Sequence, residues 1–243
     1  MSTRPPVSID LFDALRGRRV LVRPFRAADA PAVWAAIEES REHLAKWMPW
    51  VQHLWSLADE RAALAGVRAR WRTREDLTVG IFDRRTGALL GGTGLHRINW
   101  ALRVFEIGYW IRRTAEGSGY VTEAVALLVR YAFDRLGAHR VEIRMDPRNV
   151  RSRRVPERLG FILEGILRRS APDVHGAPSD RCIFALIRED YLRLAWAGGR
   201  RSAAPGVSTT RAPARRGRAA PTTRTRRSPP ASSGRSARRR PRT

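Results

Sequence analysis

Cysteine and lysine are nearly absent from this sequence of 243 residues, and long apolar runs are missing altogether. The single cysteine, Cys182, excludes an intramolecular disulfide and is consistent with a reducing compartment. A membrane span needs about 20 consecutive apolar residues, and no run approaches that length. The N-terminal stretch also lacks the apolar core of a signal peptide. We therefore expect a soluble, cytoplasmic protein that does not associate with a membrane.

Metal-binding and thiol chemistry find little support in the sequence. The histidines are scattered and show no ligand spacing; they are His43, His53, His96, His139 and His175. Cys182 lies in the apolar pattern RCIFALI, where a small buried core residue is a better interpretation than a nucleophile carrying an acetyl group. We predict neither a metal site nor a covalent enzyme intermediate.

Positive charge dominates, with a formal net charge of +24 from 47 basic and 23 acidic residues, and Lys46 is the only lysine. Fourteen arginines and no acidic residue lie in residues 198–243, which leaves +10 on residues 1–197. This Arg/Pro/Ser/Ala-rich tail cannot bury enough apolar area to fold alone. We interpret it as a disordered basic extension, which either contacts nucleic acid or acidic partners weakly or has no specific role.

The rest of the chain is predicted to comprise an N-terminal extension, residues 1–14, and one folded domain, residues 15–197. Apolar periodicity gives the order strand, two helices, three strands, helix, strand, helix, two strands. This order predicts an α/β domain with a mixed sheet covered by helices. The predicted strands are 18–25, 77–83, 89–99, 104–111, 140–145, 161–168 and 181–188.

Capping residues mark the predicted helix ends. Asp29 is expected to cap the first helix, in which Val33, Ala36 and Ile37 share a face. Gly137 is expected to stop the long helix that follows strand 104–111. Between strands 77–83 and 89–99 the letters RRTG predict a hairpin connection.

The stretch EGSGYVTEA, residues 116–124, enters that long helix through two glycines. A helix N-terminus has unpaired N–H groups and about half a positive charge. Gly117 and Gly119 would let an anion approach those groups without meeting a Cβ. The pattern indicates a phosphate or pyrophosphate site, with Arg112 and Arg113 adding charge, although an ordinary loop and cap is an alternative. It is neither a P-loop nor G-x-G-x-x-G.

A second motif, NVRSRRVPERLGF, follows a later strand. It places Asn149 and Ser152 three residues apart at the start of a helix, where they either cap the helix or face the glycine turn. The two motifs together resemble the GNAT superfamily of N-acetyltransferases. The segments EIGYWI, RPFRAADAPAVW and REHLAKWMPW resemble its RimJ/RimL-type branch, which acetylates protein N-termini, notably of ribosomal proteins. The resemblance covers about residues 15–192 and implies the GNAT fold, whose central sheet is mostly antiparallel.

The resemblance implies that acetyl-CoA is the co-substrate. Its pyrophosphate would lie on the glycine turn and its pantetheine beside Asn149, while backbone N–H groups of the strand GYWI would polarise the thioester carbonyl. Ser152 would stabilise or protonate the departing thiolate. The implied cofactor-binding residues are Ile111, Arg112, Arg113, Glu116, Gly117, Ser118, Gly119, Tyr120, Asn149 and Ser152.

The acceptor side is implied by the same resemblance. Trp47, Trp50 and Trp55 follow the first helix, where the family forms part of the acceptor wall, and core packing would explain them about as well. Glu106 and Tyr109 lie on the strand beside the cleft. Glu106, directly or through a water, is our first choice of general base. The predicted catalytic residues are Ser152 and Glu106, and the predicted substrate-binding residues are Trp47, Trp50, Glu106 and Tyr109.

Some RimL-type enzymes carry a catalytic carboxylate in the loop that corresponds to APDVHGAPSD here. That loop contains Asp173, His175 and Asp180, but the matching position is Ala171. Solvated or capping roles explain these acidic residues at least as well as catalysis does.

Two residues depart from the family pattern. Thr114 stands where the glycine turn commonly has Gln or Arg, three residues before the first glycine. Pro156 stands where the family has a helix former, and it lacks the N–H that would bond to the Ser152 carbonyl. If the helix begins a residue or two later, the cost falls, because this N–H would be unpaired anyway. The exact position of Ser152 stays open.

Three functions remain open at this point. The first is direct acetyl transfer from acetyl-CoA to the N-terminal α-amine of a protein or peptide, in a ternary complex of a monomer or homodimer. The second is the same chemistry on a small amine, such as an antibiotic or polyamine. The third is a degenerate GNAT domain whose basic tail binds nucleic acid.

Overall fold

A computed structural model describes residues 10–197, and the predicted basic tail lies outside this range. The strands are β1 (Leu15–Arg16), β2 (Val20–Pro24), β3 (Leu77–Asp83), β4 (Leu89–Asn99), β5 (Val104–Ile111), β6 (Arg140–Met145), β7 (Ile162–Pro172) and β8 (Pro178–Ile187). The α-helices are α1 (Ala30–Ala45), α2 (Leu57–Thr73), α3 (Tyr120–Asp134), α4 (Val150–Arg158) and α5 (Arg188–Tyr191). Short 3-10 turns cover Ala27–Asp29, Pro49–His53 and Arg113–Ala115.

The strands form one sheet in the order β1–β2–β3–β4–β5–β6–β8–β7. Neighbouring strands are antiparallel except β5 and β6, which are parallel. The predicted mixed, mostly antiparallel sheet flanked by helices is confirmed. Strands β3 to β6 have the predicted bounds, whereas β7 and β8 are extended into a hairpin that closes at residues 173–177. The two-residue β1 and four-residue α5 are too short to give a periodic pattern and were not predicted.

The start of α1 differs from the prediction. Asp29 makes no side-chain capping hydrogen bond to α1. Its carboxylate instead accepts hydrogen bonds from the backbone N–H of Arg26 at 2.7 Å and from the guanidinium of Arg23 at 2.7 and 2.8 Å. Asp29 therefore closes the 3-10 turn that precedes the helix and ties it to β2.

Helices cover both faces of the sheet. The predicted apolar side of α3 is buried against one face, with Ala124, Val125, Leu128 and Ala132 fully enclosed. Gly137, three residues after the end of α3, has a φ of +65°. Helices α1 and α2 pack on the other face and form a second cluster with β3 and β4. Among the described residues, no helix has both the length and the apolarity to cross a membrane.

The centre of the sheet opens into a wedge. Parallel pairing between β5 and β6 is confined to Val104–Glu106 and Arg140–Glu142, and beyond these three pairs the strands separate. The β6-facing edge of β5 from Ile107 to Ile111 therefore has no strand partner in the described range. Helices α3 and α4 begin near this opening, which places both sequence motifs beside it.

Helix α2 buries a carboxylate. Its buried residues are Leu64 and Glu60, and Glu60 is only 4 % exposed. Among the described residues, no side-chain hydrogen bond or ion pair reaches Glu60. Burial without a partner raises the pKa of Glu60 to about 7, because the charged form loses its hydration.

We expect Glu60→Gln to stabilise the protein at pH 8 and to have little effect at pH 5. The native carboxyl keeps its proton up to about pH 7, whereas the unfolded carboxyl loses it near pH 4.5. Wild-type stability therefore falls as pH rises from 4.5 through 7. The shift corresponds to about 3 kcal/mol above the native pKa, and glutamine removes it.

Urea unfolding of wild type and Glu60→Gln at both pH values measures this effect. Glu75→Gln, at an exposed position just after α2, is the matched control. The same pH dependence of unfolding free energy in wild type and Glu60→Gln would contradict the account.

Candidate active site

A cavity of about 1360 Å³ extends from the wedge to the space between α1 and α2. Of the residues predicted for the site, Trp47, Trp50, Tyr109, Asn149 and Ser152 line it. The glycine turn and Glu106 do not belong to its wall. The cavity brings together the end of β5, the start of α4 and the first two helices, so groups from both faces of the sheet reach one space.

The glycine turn has the geometry of an anion site. Gly117 and Gly119 have φ values of +72° and +78°, which only glycine adopts without strain. Gly119 occupies the position just before α3, and a Cβ added at Gly117 would meet no atom within 4 Å. Among the described residues, the N–H groups from Gly117 to Val121 donate no hydrogen bond. These donors face open space at the positive end of a 15-residue helix.

Arg19 holds this turn against the start of α3, a role that the sequence did not suggest. Its guanidinium donates to the Ser118 carbonyl at 2.8 Å and pairs with Glu123 of α3 at 3.0 Å. It also lies over the ring of Tyr120, 5.0 Å from the centroid. The contacts cross about a hundred residues of sequence, so no local pattern could reveal them.

The arginines predicted to contact the cofactor have different surroundings. Arg112 pairs with Glu39 of α1 and donates to the Leu89 carbonyl at 3.2 Å. The Arg112 hydrogen bond, with smaller contributions from Thr114, lowers the pKa of Glu39 to about 2. Thr114, one of the two departures, donates to the same carboxylate at 2.7 Å. Arg113 is exposed at the turn, so its side chain is the better placed of the two to meet an anion.

Glu116 joins the glycine turn to α1 and α4. Its carboxylate pairs with His43 of α1 and with Arg151 of α4, the residue before Ser152. Ile111, the last residue of β5, and Tyr120, the first residue of α3, are half-buried. The turn, α1 and α4 are thus held together across the opening of the wedge.

Asn149 and Ser152 lie at the start of α4 beside Tyr109. The Asn149 Oδ1 accepts a hydrogen bond from the Ser152 N–H at 3.1 Å, so Asn149 caps the helix. The Ser152 Oγ donates to the Tyr109 Oη at 3.2 Å. Before them, the carboxylate of Asp146 holds the turn through Arg148, whose hydrogen bond lowers the pKa of Asp146 to about 2. Two predicted groups, the hydroxyls of Tyr109 and Ser152, therefore form a chain facing the wedge.

Pro156 is accommodated without a late start of the helix. Helix α4 begins at Val150, so Pro156 is its seventh residue rather than part of its first turn. The Ser152 carbonyl, which lacks the N–H of residue 156, accepts a hydrogen bond from the Tyr109 Oη at 2.8 Å instead. The helix thus keeps its early start because a side chain from β5 replaces the missing donor.

Glu106 lies outside the cavity wall in an arginine cluster. Its carboxylate is 3.7 Å from Arg97 and 3.5 Å from Arg144. Arg144 also donates to Glu142, which lies opposite Glu106 in the parallel pairing of β5 and β6. These contacts neutralise two adjacent carboxylates at the point where the strands separate.

His96 and Asp76 form a pair on the cavity wall that the sequence did not identify. The His96 Nδ1 lies 2.8 Å from the Asp76 Oδ2, and both residues line the cavity. Burial opposes ionisation of Asp76, but hydrogen bonds from His96 and Thr78 hold its pKa below the usual range. With Nδ1 donating to that carboxylate, the Nε2 of a neutral imidazole is free to accept a proton.

The signal for this pair is hidden by a β-bulge. Leu77 pairs with Leu95, which places Asp76 beside His96, but the register shifts by one residue between Ile81 and Phe82. A register counted back from the hairpin turn would put His96 on the wrong partner.

Aromatic residues line the α1 side of the cavity. Trp47, Trp50 and Trp110 are in its wall, and the Trp50 and Trp110 rings meet edge to face at 6.0 Å. Trp55 is 72 % exposed and does not belong to the wall. Trp47 and Trp50 thus line the cavity, and Trp55 does not.

The β7–β8 hairpin contributes a further part of the wall. Asp173 and His175 line the cavity, and Gln52 donates to the Val174 carbonyl at 2.9 Å. The Asp173 carboxylate accepts the N–H groups of His175 and Ala177, so it caps the turn. Asp180 lies outside the wall and accepts the N–H of Arg169.

Cys182 is fully buried, and its thiol donates to the Met145 carbonyl at 3.3 Å. Burial raises the pKa of this thiol, which disfavours a nucleophilic thiolate. The prediction of a core residue is confirmed. In the part of the chain that the structure describes, no group of three or more His, Cys, Asp or Glu side chains could hold a metal ion.

Comparisons with known proteins agree with this geometry. Residues 19–162 match the acetyltransferase (GNAT) domain family. The chain is 32% identical over 178 residues to the probable N-acetyltransferase YjcK of Bacillus subtilis strain 168, covering 72% of this chain and 98% of that protein. It is 31% identical over 99 residues to the ribosomal-protein-serine acetyltransferase of Escherichia coli K12, covering 41% of this chain and 55% of that protein.

A solved structure is similar over the same region. The structure of Mycobacterium smegmatis RimJ in complex with CoA-disulfide is 31% identical, with a TM-score of 0.66 over 73% of this chain and 86% of that one. The family match over residues 19–162 contains the glycine turn, the wedge and the α4 motif. The chain belongs to the GNAT acetyltransferase family, in its RimJ/RimL-type branch, and is an acetyl-CoA-dependent N-acetyltransferase.

Proposed function

We propose that the protein transfers the acetyl group of acetyl-CoA directly to the α-amine at the N-terminus of a protein or peptide. The observation that carries this proposal is the single cavity that joins the wedge to an aromatic wall formed by Trp47, Trp50 and Trp110. One substrate can enter between β5 and β6 while the other lies along α1 and α2. One relative is named a ribosomal-protein-serine acetyltransferase, and this name supports a polypeptide acceptor.

The glycine turn fits the pyrophosphate of acetyl-CoA. The free N–H groups from Gly117 to Val121 would bind its oxygens, Arg19 would hold the turn in place, and exposed Arg113 would add charge. The same site would be bordered by Ile111, Glu116, Ser118 and Tyr120. Arg112 would also border it, held in place by its ion pair with Glu39. The bound co-substrate supplies an activated thioester carbonyl for attack by an amine.

The unpaired edge of β5 would bind that carbonyl. Beyond Glu106, alternate backbone N–H groups of β5 face the opening left by β6, where they can stabilise developing negative charge. Asn149 would position the pantetheine, and the Ser152 hydroxyl would donate a hydrogen bond that stabilises the departing thiolate. The Tyr109 Oη, 3.2 Å from the Ser152 Oγ, would hold that hydroxyl beside the thioester.

His96 is better placed than Glu106 to act as general base. It lines the cavity and is oriented by Asp76, whereas Glu106 lies outside the wall between two arginines. In this proposal the His96 Nε2 takes the proton of the attacking amine on the face where α1 and α2 pack. Glu106 instead holds the strands together where the wedge begins.

Acetylation of a small amine is the alternative that shares this chemistry. The experiment that separates the two uses full-length protein, acetyl-CoA and peptides with a free N-terminus, followed by mass spectrometry. We expect one acetyl group on the α-amine and none on peptides with a blocked N-terminus. Turnover of spermidine or an aminoglycoside without turnover of any peptide would contradict the proposed acceptor class.

The same assay distinguishes the two candidate bases. His96→Gln is expected to lower kcat by about 100-fold or more, the usual contribution of a general base, and to leave acetyl-CoA affinity unchanged. Glu106→Gln is expected to lower the melting temperature, because it breaks the arginine cluster, and to change kcat less than His96→Gln does. A larger loss of kcat in Glu106→Gln than in His96→Gln, in folded protein, would restore Glu106 as the base.

Substitution of the turn glycine tests the pyrophosphate site. Gly117→Ala and Gly87→Ala make a matched pair, because φ is +72° and +75° and neither added Cβ meets an atom within 4 Å. Each should cost about 1 kcal/mol of stability from the strained φ. Only Gly117→Ala is expected to weaken acetyl-CoA binding, by about tenfold, in calorimetric titration.

Gly87 lies in the hairpin between β3 and β4, away from the wedge, so it reports strain alone. Equal acetyl-CoA affinity of the two variants would mean that the pyrophosphate does not bind at the glycine turn.

A further inference from the structure

Glu60 is the one buried carboxylate on the cavity wall to which the described residues offer no partner. It is 4 % exposed and lines the same cavity as His96 and Trp110. The other buried acidic residue in the wall, Asp146, pairs with Arg148 and accepts the Ser179 hydroxyl. Buried charges in folded proteins are normally paired, so an ionised Glu60 needs a partner from outside the chain.

The fold gains nothing from this carboxylate. Glu60, Leu64 and Val67 are spaced four and three residues apart, so they share the face of α2 that packs toward α1 and the sheet. Leu64 and Val67 belong to the apolar cluster there, and an apolar side chain would suit position 60 equally. A residue that is unfavourable for folding and faces a cavity is typical of a binding site.

The cations of the chain that line the cavity are not available to Glu60. Lys46 is 3.7 Å from Glu42 of α1. Arg70 lies ten residues along α2, about 15 Å away by helical rise. Arg144, Arg148 and Arg181 are held by acidic residues of β5, of β6 and of the turn after β6.

The walls near Glu60 define the shape of the missing partner. Val33 and Ile37 of α1 and Leu64 and Val67 of α2 are apolar and line the cavity. These apolar side chains suit an aliphatic chain, and the Glu60 carboxylate suits a cation at the end of that chain. An alkylammonium has both parts, and pairing with it would restore the ionised form of Glu60 that burial disfavours.

We propose that Glu60 binds an ammonium group on an aliphatic stem, the side chain of a lysine near the acceptor N-terminus, while the α-amine is acetylated. This inference rests on the proposed function for its polypeptide acceptor. It makes Glu60 a specificity-determining residue that does not touch the reacting atoms. It also places a local negative site inside a domain whose residues 1–197 carry a net charge of +10.

The test measures binding of peptide pairs to the CoA-bound, full-length protein through its tryptophan fluorescence. Each pair has a single lysine at one of positions 2 to 5, or norleucine, its uncharged analogue, at the same place. We expect at least one lysine peptide to bind wild type about tenfold tighter than its norleucine twin. In Glu60→Gln the two should bind within twofold of each other, with the norleucine affinity unchanged.

Glu75→Gln is the matched control, because Glu75 is exposed just after α2 and does not line the cavity. It should keep the lysine preference, and all variants should bind acetyl-CoA as wild type does. Equal binding of every pair by wild type, or a lysine preference that survives in Glu60→Gln, would overturn the inference.

A second pair of probes separates this inference from the proposed function. If no peptide binds but 1,5-diaminopentane binds more tightly than pentylamine in a Glu60-dependent manner, the ammonium site is retained and the polypeptide acceptor is rejected. If peptides are acetylated without any lysine preference, the proposed function is retained and the ammonium site is rejected. Failure of both probe pairs rejects both.

Discussion

The separation of β5 from β6 is the constraint on which the rest of the structure depends. Two parallel strands pair through three residues and then diverge, and the last pair puts Glu106 beside Glu142. Like charges at neighbouring positions would repel, but Arg144 contacts both carboxylates and Arg140 donates to Glu142 at 2.6 Å. The arginines hold the strands together at the point of divergence. The wedge is therefore a fixed feature of the sheet, and an unpaired backbone edge is available to a ligand.

Both helices that border the wedge are fixed by contacts across it. Arg19 and Glu116 connect the start of α3 to β2, α1 and α4. The Tyr109 hydroxyl connects β5 to α4 by donating to the carbonyl that Pro156 leaves without a partner. Burial raises the pKa of Tyr109, so this hydroxyl stays protonated and remains a donor. The two departures from the family pattern, Thr114 and Pro156, thus have partners that make them compatible with an intact site.

The sequence predicts the fold well where the signal is local. Strands β3 to β6 follow from apolar alternation between turn residues, and α3 follows from its apolar face and from Gly119 and Gly137. The glycine turn and the α4 motif are each one continuous segment, so the sequence was enough to identify them. Side chains brought together from distant segments could not be predicted: His96 with Asp76 required a register displaced by a bulge, and Arg19 with Ser118 required the tertiary fold. The effect of Pro156 on the helix could not be predicted, because its compensation comes from a tyrosine 47 residues earlier.

The account holds that acetyl transfer is direct, with both substrates in one cavity and no acetyl-enzyme intermediate. Initial-rate kinetics with varied acetyl-CoA at several fixed concentrations of an N-terminal peptide tests this most directly. A sequential mechanism gives double-reciprocal lines that intersect, and this is the predicted result, since Cys182 is buried and one cavity extends past both proposed substrate positions. Parallel lines, the pattern of a ping-pong reaction, would contradict it.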